Sequence, residues 1–247
     1  MRPRALVVRS GANPFVSLGE SPRVDIVEKT SHSIEPVEPD VGVLEAPADL
    51  AVLTSQVAVE RLFSDSRLAA LFGKALEGGR IAAVGAVTDE ALRQKGVSPA
   101  IVAEGSAESV LEKLGADLSG WRVVLPRGED ASPELPEGLR SRGAHVALLV
   151  LYRKVPNPPD PDLEREILQR PFSAFCTTSP SAARWLFSGL GEPAAERLRR
   201  TPAVVLGRFT RRFLESHGVE RIAVTEEARF AAALGLLETL AVGERQA

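Results

Sequence analysis

Hydroxyls, guanidinium groups and one phenol are the side chains of this sequence best suited to do chemistry, and they recur where short apolar runs stop. The positions are Arg9-Ser10, Thr54-Ser55, Gly85 with Thr88, Arg127-Gly128, Tyr152-Arg153, Thr178-Ser179-Pro180-Ser181, and Gly207 with Thr210. A Thr-Ser pair ahead of a helix offers hydroxyls and free backbone N–H groups at the positive end of the helix dipole. Gly-x-x-Thr allows a close backbone approach at another helix start. Arginine grips carboxylates with a planar fork. The set suits a polyanion, best one with many carboxylates. Each member also has a plainer reading. Ser or Thr before a helix is an ordinary N-cap, Arg9 and Arg127 can be surface residues, and Tyr152 suits either proton donation or hinge packing.

The residue counts exclude other chemistries. The chain has 247 residues and one cysteine, Cys176, so no intramolecular disulfide and no cysteine-cluster metal site is expected. Cys176 lies in an apolar run and reads as a small buried hydrophobe. The three histidines, His32, His145 and His217, share no ligand spacing. His217 reads as a structural cation at a helix C-terminus. No P-loop, Gly-x-Gly-x-x-Gly or His-Glu-x-x-His pattern occurs. No metal and no nucleotide-dependent chemistry is therefore expected. Net charge is −3, against the basic excess of a nucleic-acid binder, and of 30 basic residues 25 are arginine. No apolar run approaches the roughly 20 residues of a membrane span. The first residues carry no signal-peptide pattern. The expectation is a cytoplasmic, monomeric protein without membrane or nucleic-acid partners.

The elements that must position these residues alternate. Strand-like runs are read at 5–9, 24–27, 50–53, 81–84, 100–103, 122–125, 146–151, 174–177, 203–206 and 222–224. Helical spacing occupies 57–76, 88–95, 106–114, 133–142, 163–169, 182–190, 210–217 and 228–240, with a Pro-rich break at 157–162. Such alternation predicts an α/β protein with parallel sheets. The chain also repeats itself. ADLAVLTSQVAVERLF (48–63) resembles FSAFCTTSPSAARWLF (172–187), and IAAVGAVTDEALRQKGV (81–97) resembles AVVLGRFTRRFLESHGV (203–219). ALVVRSG (5–11) resembles VVLPRGE (123–129). Residues 23–40 align with 145–162 at an offset of 122, which makes Thr30 the counterpart of Tyr152. The order is A–B–A′–B′, a duplicated unit of about 120 residues with a ligand cleft expected beyond the strand ends.

TSPSAARWLF, the run VVLPRGEDASPELPEGLRSRGAHVALLVLYRKVPNPPD, and AVVLGRFTRRFLESHGV with its AVTEEARFAAALGLLETL tail resemble the uroporphyrinogen-III synthase family. The resemblance implies two flavodoxin-like domains joined by a two-strand hinge, with the chain crossing twice. Domain one would comprise 1–37 plus 157–247, and domain two 38–156. From the residues alone, a tandem pairing of A with B is equally acceptable. The resemblance further implies cyclisation of hydroxymethylbilane, with loss of water and inversion of ring D through a spiro intermediate, without cofactor or metal. Transient contact with the enzyme that makes the bilane goes with it. Tyr152 matches the family's cleft tyrosine, a candidate acid. Thr88, Ser179 and Thr210 match positions lining the cleft. Arg9, Thr54, Ser55, Arg127, Gly128, Thr178 and Ser181 complete the expected substrate contacts. The sequence departs from the family pattern at 11–22, where Gly and Pro predict a shortened or lost first helix, and at GRFTRRFL, where arginines surround Thr210. A diverged, non-catalytic protein that clamps a polycarboxylate tetrapyrrole is the alternative.

Overall fold

The computed structural model describes residues 2–11, 21–104, 106–226 and 230–243. The expectation of a shortened first helix falls mainly on 12–20, outside the described residues. In chain order the elements are β1 (Arg4–Ser10), β2 (Asp25–Pro36), a 3-10 turn (Val41–Leu44), β3 (Leu50–Leu53), α1 (Gln56–Ser64), α2 (Ser66–Ala75), β4 (Arg80–Val84), α3 (Ala86–Gln94), β5 (Ile101–Ala103), α4 (Ala107–Leu114), β6 (Arg122–Gly128) and α5 (Glu134–Arg140). There follow β7 (His145–Pro156), α6 (Pro161–Gln169), β8 (Ala174–Thr177), α7 (Pro180–Ser188), α8 (Glu192–Arg200), β9 (Ala203–Val205), α9 (Arg208–Ser216), β10 (Ile222–Val224) and α10 (Phe230–Gly243). Among the described residues no helix is long and apolar enough to cross a membrane.

The chain forms two compact units. Unit 1 holds Met1–Ile34 and Val155–Ala247; unit 2 holds Glu35–Lys154. The passages between units occur inside β2 and inside β7. Unit 1 orders its strands β10-β9-β8-β1-β2, and unit 2 orders its own β7-β6-β3-β4-β5. Each central contact joins distant sequence. β1 pairs in parallel with β8, and β3 pairs in parallel with β6.

Alternation along the strands builds the cores. In unit 1, Leu6, Val8, Phe175 and Val205 pack with Ile167, Leu186, Leu198 and Leu214 of the helices on one face. Their neighbours Ala5, Val7, Cys176 and Val204 face Leu237 and Ala241 of α10 on the other. In unit 2, Val52, Val84, Val123 and Leu125 pack with Val110 of α4 and Leu139 of α5. Period-two side-chain direction makes both faces of each strand apolar, as a sheet covered on both sides requires. Each fully buried Leu or Phe contributes about 1.5–3 kcal/mol.

Several element boundaries differ from expectation, each for a local reason. The helix read over 57–76 is two helices, because Asp65 takes an extended conformation and its carboxylate accepts the N–H groups of Arg67 and Leu68 at 2.8 and 3.1 Å. The break at 157–162 contains a helix start: Asp160 accepts from Asp162 and Leu163, and Pro161 sits in the first turn. Helix α8 is absent from the expected elements. It opens after Gly191 with Pro193 in its first turn, and it closes on Arg197, Arg199 and Arg200, which suit the negative dipole end. Ser106 does cap α4, in a reciprocal box with Ser109. β2 and β7 each run for 12 residues, well past their apolar openings.

Asp65→Ala is expected to lower stability by about 1 kcal/mol. A fall in the urea midpoint with an unchanged slope would show it, and Asp65→Asn, which keeps an acceptor at the cap, should preserve most of the stability.

Candidate active site

In unit 2 the site is built around a slip in the ladder. β6 and β7 pair residue for residue until Arg127 opposite Val150; the register then shifts, and Gly128 faces Tyr152. The phenol lies across the bare Cα of Gly128. A Cβ there would stand 2.8 Å from Tyr152 Cε2 and 2.9 Å from Cζ. The ring therefore needs glycine beneath it. Its hydroxyl lies 3.1 Å from Ser55 Oγ. Ser55 is held in place because it also caps α1, accepting the Ala58 N–H at 3.1 Å. Either hydroxyl of this pair can donate, since Ser55 has both a proton and a second lone pair.

Tyr152 is 5% exposed. Burial pushes its pKa above the ordinary 10.0. The hydrogen bond to Ser55 acts against this, the charge of Asp130 adds to it, and Arg127 opposes it. The phenol is thus a proton-bearing group throughout the neutral range, fit to donate rather than to act as a base.

Arg127 is buried, and its guanidinium points into its own loop. Nε donates to Gly128 O at 3.2 Å and Nη2 to Ser132 O at 3.3 Å; Ala131 O accepts as well. The residue holds the loop after β6 in shape. Beside it lies a cavity of about 330 Å³, lined by Thr54, Arg127, Ser106, Val52, Val84 and Leu125. Thr54 is exposed at this mouth.

Unit 1 carries the corresponding slip with different residues. β1 pairs with β2 through Arg9 opposite Thr30, and then Ser10 faces His32. His32, not Thr30, takes the place that Tyr152 has in unit 2. The offset of 122 read from sequence is two residues too long. A slip of two leaves every side chain on the same face, so hydrophobic alternation could not reveal it. The better signal lay in the ends: Pro36 and Pro156 close the two strands, and Asp40 and Asp160 each cap the next turn, both pairs 120 apart. His32 Nδ1 lies 2.8 Å from Ser31 Oγ, which donates to Arg9 O at 2.9 Å.

Where Gly128 is bare, Ser10 supplies a hydroxyl. It lies 2.5 Å from Ser179 Oγ and 3.0 Å from Ser181 Oγ, and Ser179 and Ser181 are 3.0 Å apart. Ser179 also caps α7 by accepting the Ala182 N–H at 3.1 Å. Thr178 is half-buried, with its N–H on Val8 O. Arg9 is buried, with Nη1 2.7 Å from Glu28 Oε1.

Thr88 and Thr210 are 3% and 4% exposed. They lie buried in the first turns of α3 and α9, which start after Gly85 and Gly207 without a side-chain cap. Cys176 is buried, and desolvation pushes its thiol up to about 12, so it stays protonated and unreactive. His217 caps the end of α9 and stacks on Phe213 at 4.0 Å between ring centroids.

A family model described as "Uroporphyrinogen-III synthase HemD" matches residues 11–235. A protein of Methanothermobacter thermautotrophicus named "Putative uroporphyrinogen-III synthase" is 36% identical over 187 residues, 72% of each chain. A mutant uroporphyrinogen III synthase from the extremely thermophilic bacterium Thermus thermophilus superposes with a TM-score of 0.65 at 24% identity, over 97% of this chain and 99% of that one. The enzyme from Helicobacter pylori gives a TM-score of 0.63 at 18% identity, over 97% and 100%. These two likenesses extend the agreement in fold across the chain.

Tyr152 is the only tyrosine, so tyrosinate absorbance reports it alone. Its midpoint is expected above 10.0 in the folded protein and near 10.0 in denaturant. Because the folded chain holds this proton more tightly, the associated stability is full below pH 10 and is lost as the pH rises through the folded-state value. Gly128→Ala should cost about 1–3 kcal/mol by overpacking. It should also return the tyrosine midpoint toward its ordinary value by prising the ring from its seat; an unmoved midpoint would contradict this geometry.

Proposed function

Because this chain belongs to the uroporphyrinogen-III synthase family, we propose that it cyclises hydroxymethylbilane to uroporphyrinogen III in tetrapyrrole biosynthesis, losing water and inverting ring D. The observation that carries the reading is the buried, protonated phenol of Tyr152 held against Ser55 over the bare Gly128. The reaction needs a proton at the departing hydroxyl. As the pyrrole nitrogen's lone pair pushes electrons toward the hydroxymethyl carbon, the C–O bond breaks. The hydroxyl takes a proton from Tyr152 and leaves as water, and Ser55 steadies the phenolate that remains. The resulting azafulvenium cation is attacked by the substituted carbon of ring D to give the spiro centre. Rearrangement and closure through ring D's free α-carbon follow, and the proton lost from that carbon returns to the phenolate. The enzyme is on this reading a hydro-lyase that uses no cofactor.

The substrate's eight carboxylates call for donors. Ser10, Ser179, Ser181 and Thr178 of unit 1 and Thr54 of unit 2 are assigned to them. Arg127 acts one step back by holding the loop after β6, Arg9 by pairing with Glu28, and Thr88 and Thr210 sit buried in the first turns of their helices. Holding the reactive bilane folded contributes much of the rate, since orientation removes an entropic barrier.

The same reading takes the two units as duplicated flavodoxin-like domains, 1–37 plus 157–247 and 38–156. Both strand orders reduce to 2-1-3-4-5 when A is taken with B′ and A′ with B, and this supports it. A cytoplasmic monomer that meets the bilane-producing enzyme transiently completes the proposal.

Preformed hydroxymethylbilane is the test substrate. The type III isomer is expected above the spontaneous type I background. Type I alone, with tight bilane binding, would point instead to a non-catalytic clamp. Tyr152→Phe is expected to lower kcat about 10- to 100-fold, the lower end of general-acid effects, with an unchanged melting profile. An unaltered kcat would remove the phenol from the mechanism.

A further inference from the structure

Two of the large apolar side chains exposed among the described residues occupy matching places. Val87 is 54% exposed and Phe209 62% exposed. Each is the second residue of a helix that follows a glycine at a strand end, Gly85 before α3 and Gly207 before α9. Their surroundings differ sharply. α3 opens Ala86-Val87-Thr88-Asp89-Glu90, whereas α9 opens Arg208-Phe209-Thr210-Arg211-Arg212.

The charges on α9 run against helix physics. Cations are unfavourable in the first turns, where the dipole is positive, and α9 has no acidic residue in its first turn to offset them. α8 shows the usual arrangement, with its arginines in the last turn. Of the three arginines opening α9, Arg211 is paired with Glu215 at 2.7 Å. Among the described residues, no carboxylate pairs with Arg208 or Arg212. Those two are one turn apart and share a helix face. The Arg208 guanidinium lies 5.2 Å from the Phe209 ring centroid. An exposed aromatic ring with one guanidinium over it and a second arginine one helical turn on, neither paired with a carboxylate, is complementary to a flat, electron-rich ring bearing carboxylate arms.

We propose that Arg208, Phe209 and Arg212 form an anchor on unit 1 for one carboxylated pyrrole ring of the substrate. Phe209 stacks on the ring, and the two guanidinium groups take its acidic side chains. Anion binding also relieves the repulsion between these cations and the helix dipole. The inference rests on the function proposed above and names the side chains that select a polycarboxylate. Unit 2 lacks the feature, since Val87 is flanked by small and acidic residues there.

The test uses the full chain with Arg208→Gln/Arg212→Gln and, separately, Phe209→Ala. All three positions are exposed, and circular dichroism checks the fold. The double variant is expected to raise KM for hydroxymethylbilane about tenfold or more, with kcat within about twofold, and to flatten the rise of KM with salt. Phe209→Ala should raise KM without changing its salt dependence. Binding of an octacarboxylate porphyrin, read by its fluorescence, should weaken in step, while a tetracarboxylate porphyrin loses less. If KM and octacarboxylate affinity both stay within twofold of the unsubstituted protein, the anchor is wrong. If the unsubstituted protein makes no type III isomer, the proposed function fails. The porphyrin measurement still decides the anchor in that case: weakened octacarboxylate binding by the double variant upholds it, and unchanged binding overturns it.

Discussion

The missing side chain of Gly128 sets the position of Tyr152, and most of unit 2's chemistry follows from that one vacancy beside the ring. With any Cβ there the phenol would have to lift away from β6. It would then lose Ser55 and gain water, and its hold on the proton would weaken. Ser55 in turn is fixed by its duty as the cap of α1. A backbone position, a ladder slip and a helix start thus converge on one hydroxyl. None of the three is itself a reactive group. Together they turn an ordinary phenol into a dry, oriented acid.

Unit 1 uses the same scaffold for another end. Ser10 replaces the glycine, His32 replaces the tyrosine, and Ser179 keeps the capping role of Ser55. Filling the vacant Cα with a hydroxymethyl group changes a seat for an aromatic ring into a cluster of three touching hydroxyls. The two units share the backbone geometry and exchange the chemistry. In one unit the ladder slip, with a glycine on it, seats a phenol; in the other, with a serine on it, it gathers hydroxyls.

The parts legible in the sequence were those written in hydrophobic alternation. The short buried strands and the parallel α/β architecture follow from runs such as ALVV and AFCT, whose alternate residues feed opposite faces. Tyr152 and Ser55 stand out by their place at strand ends. What escaped depends on polar or conformational detail. The later halves of β2 and β7 carry polar residues, so their apolar signal stops before the strands do. Asp65 looks like any helix-surface acid until its carboxylate turns back on the next helix. His32 was hidden because an alignment slipped by two residues preserves every inward and outward position. Nor does the sequence show that carbonyls of its own loop accept from the Arg127 guanidinium.

The crossing of the chain inside β2 and β7 has a consequence for biogenesis. Unit 2 is continuous, Glu35–Lys154, so the strands of its sheet all precede β8 in the chain. Unit 1 is interrupted by it. Ala5 of β1 must wait for Ala174 of β8, a separation of 169 residues, before its sheet can form. During synthesis at roughly 5–20 residues per second, β1 has β2 available early but lacks its β8 neighbour for many seconds. β1, made long before β8, keeps one edge open until β8 arrives. The nascent chain therefore carries a hydrophobic strand with one edge open while the whole of unit 2 is being made.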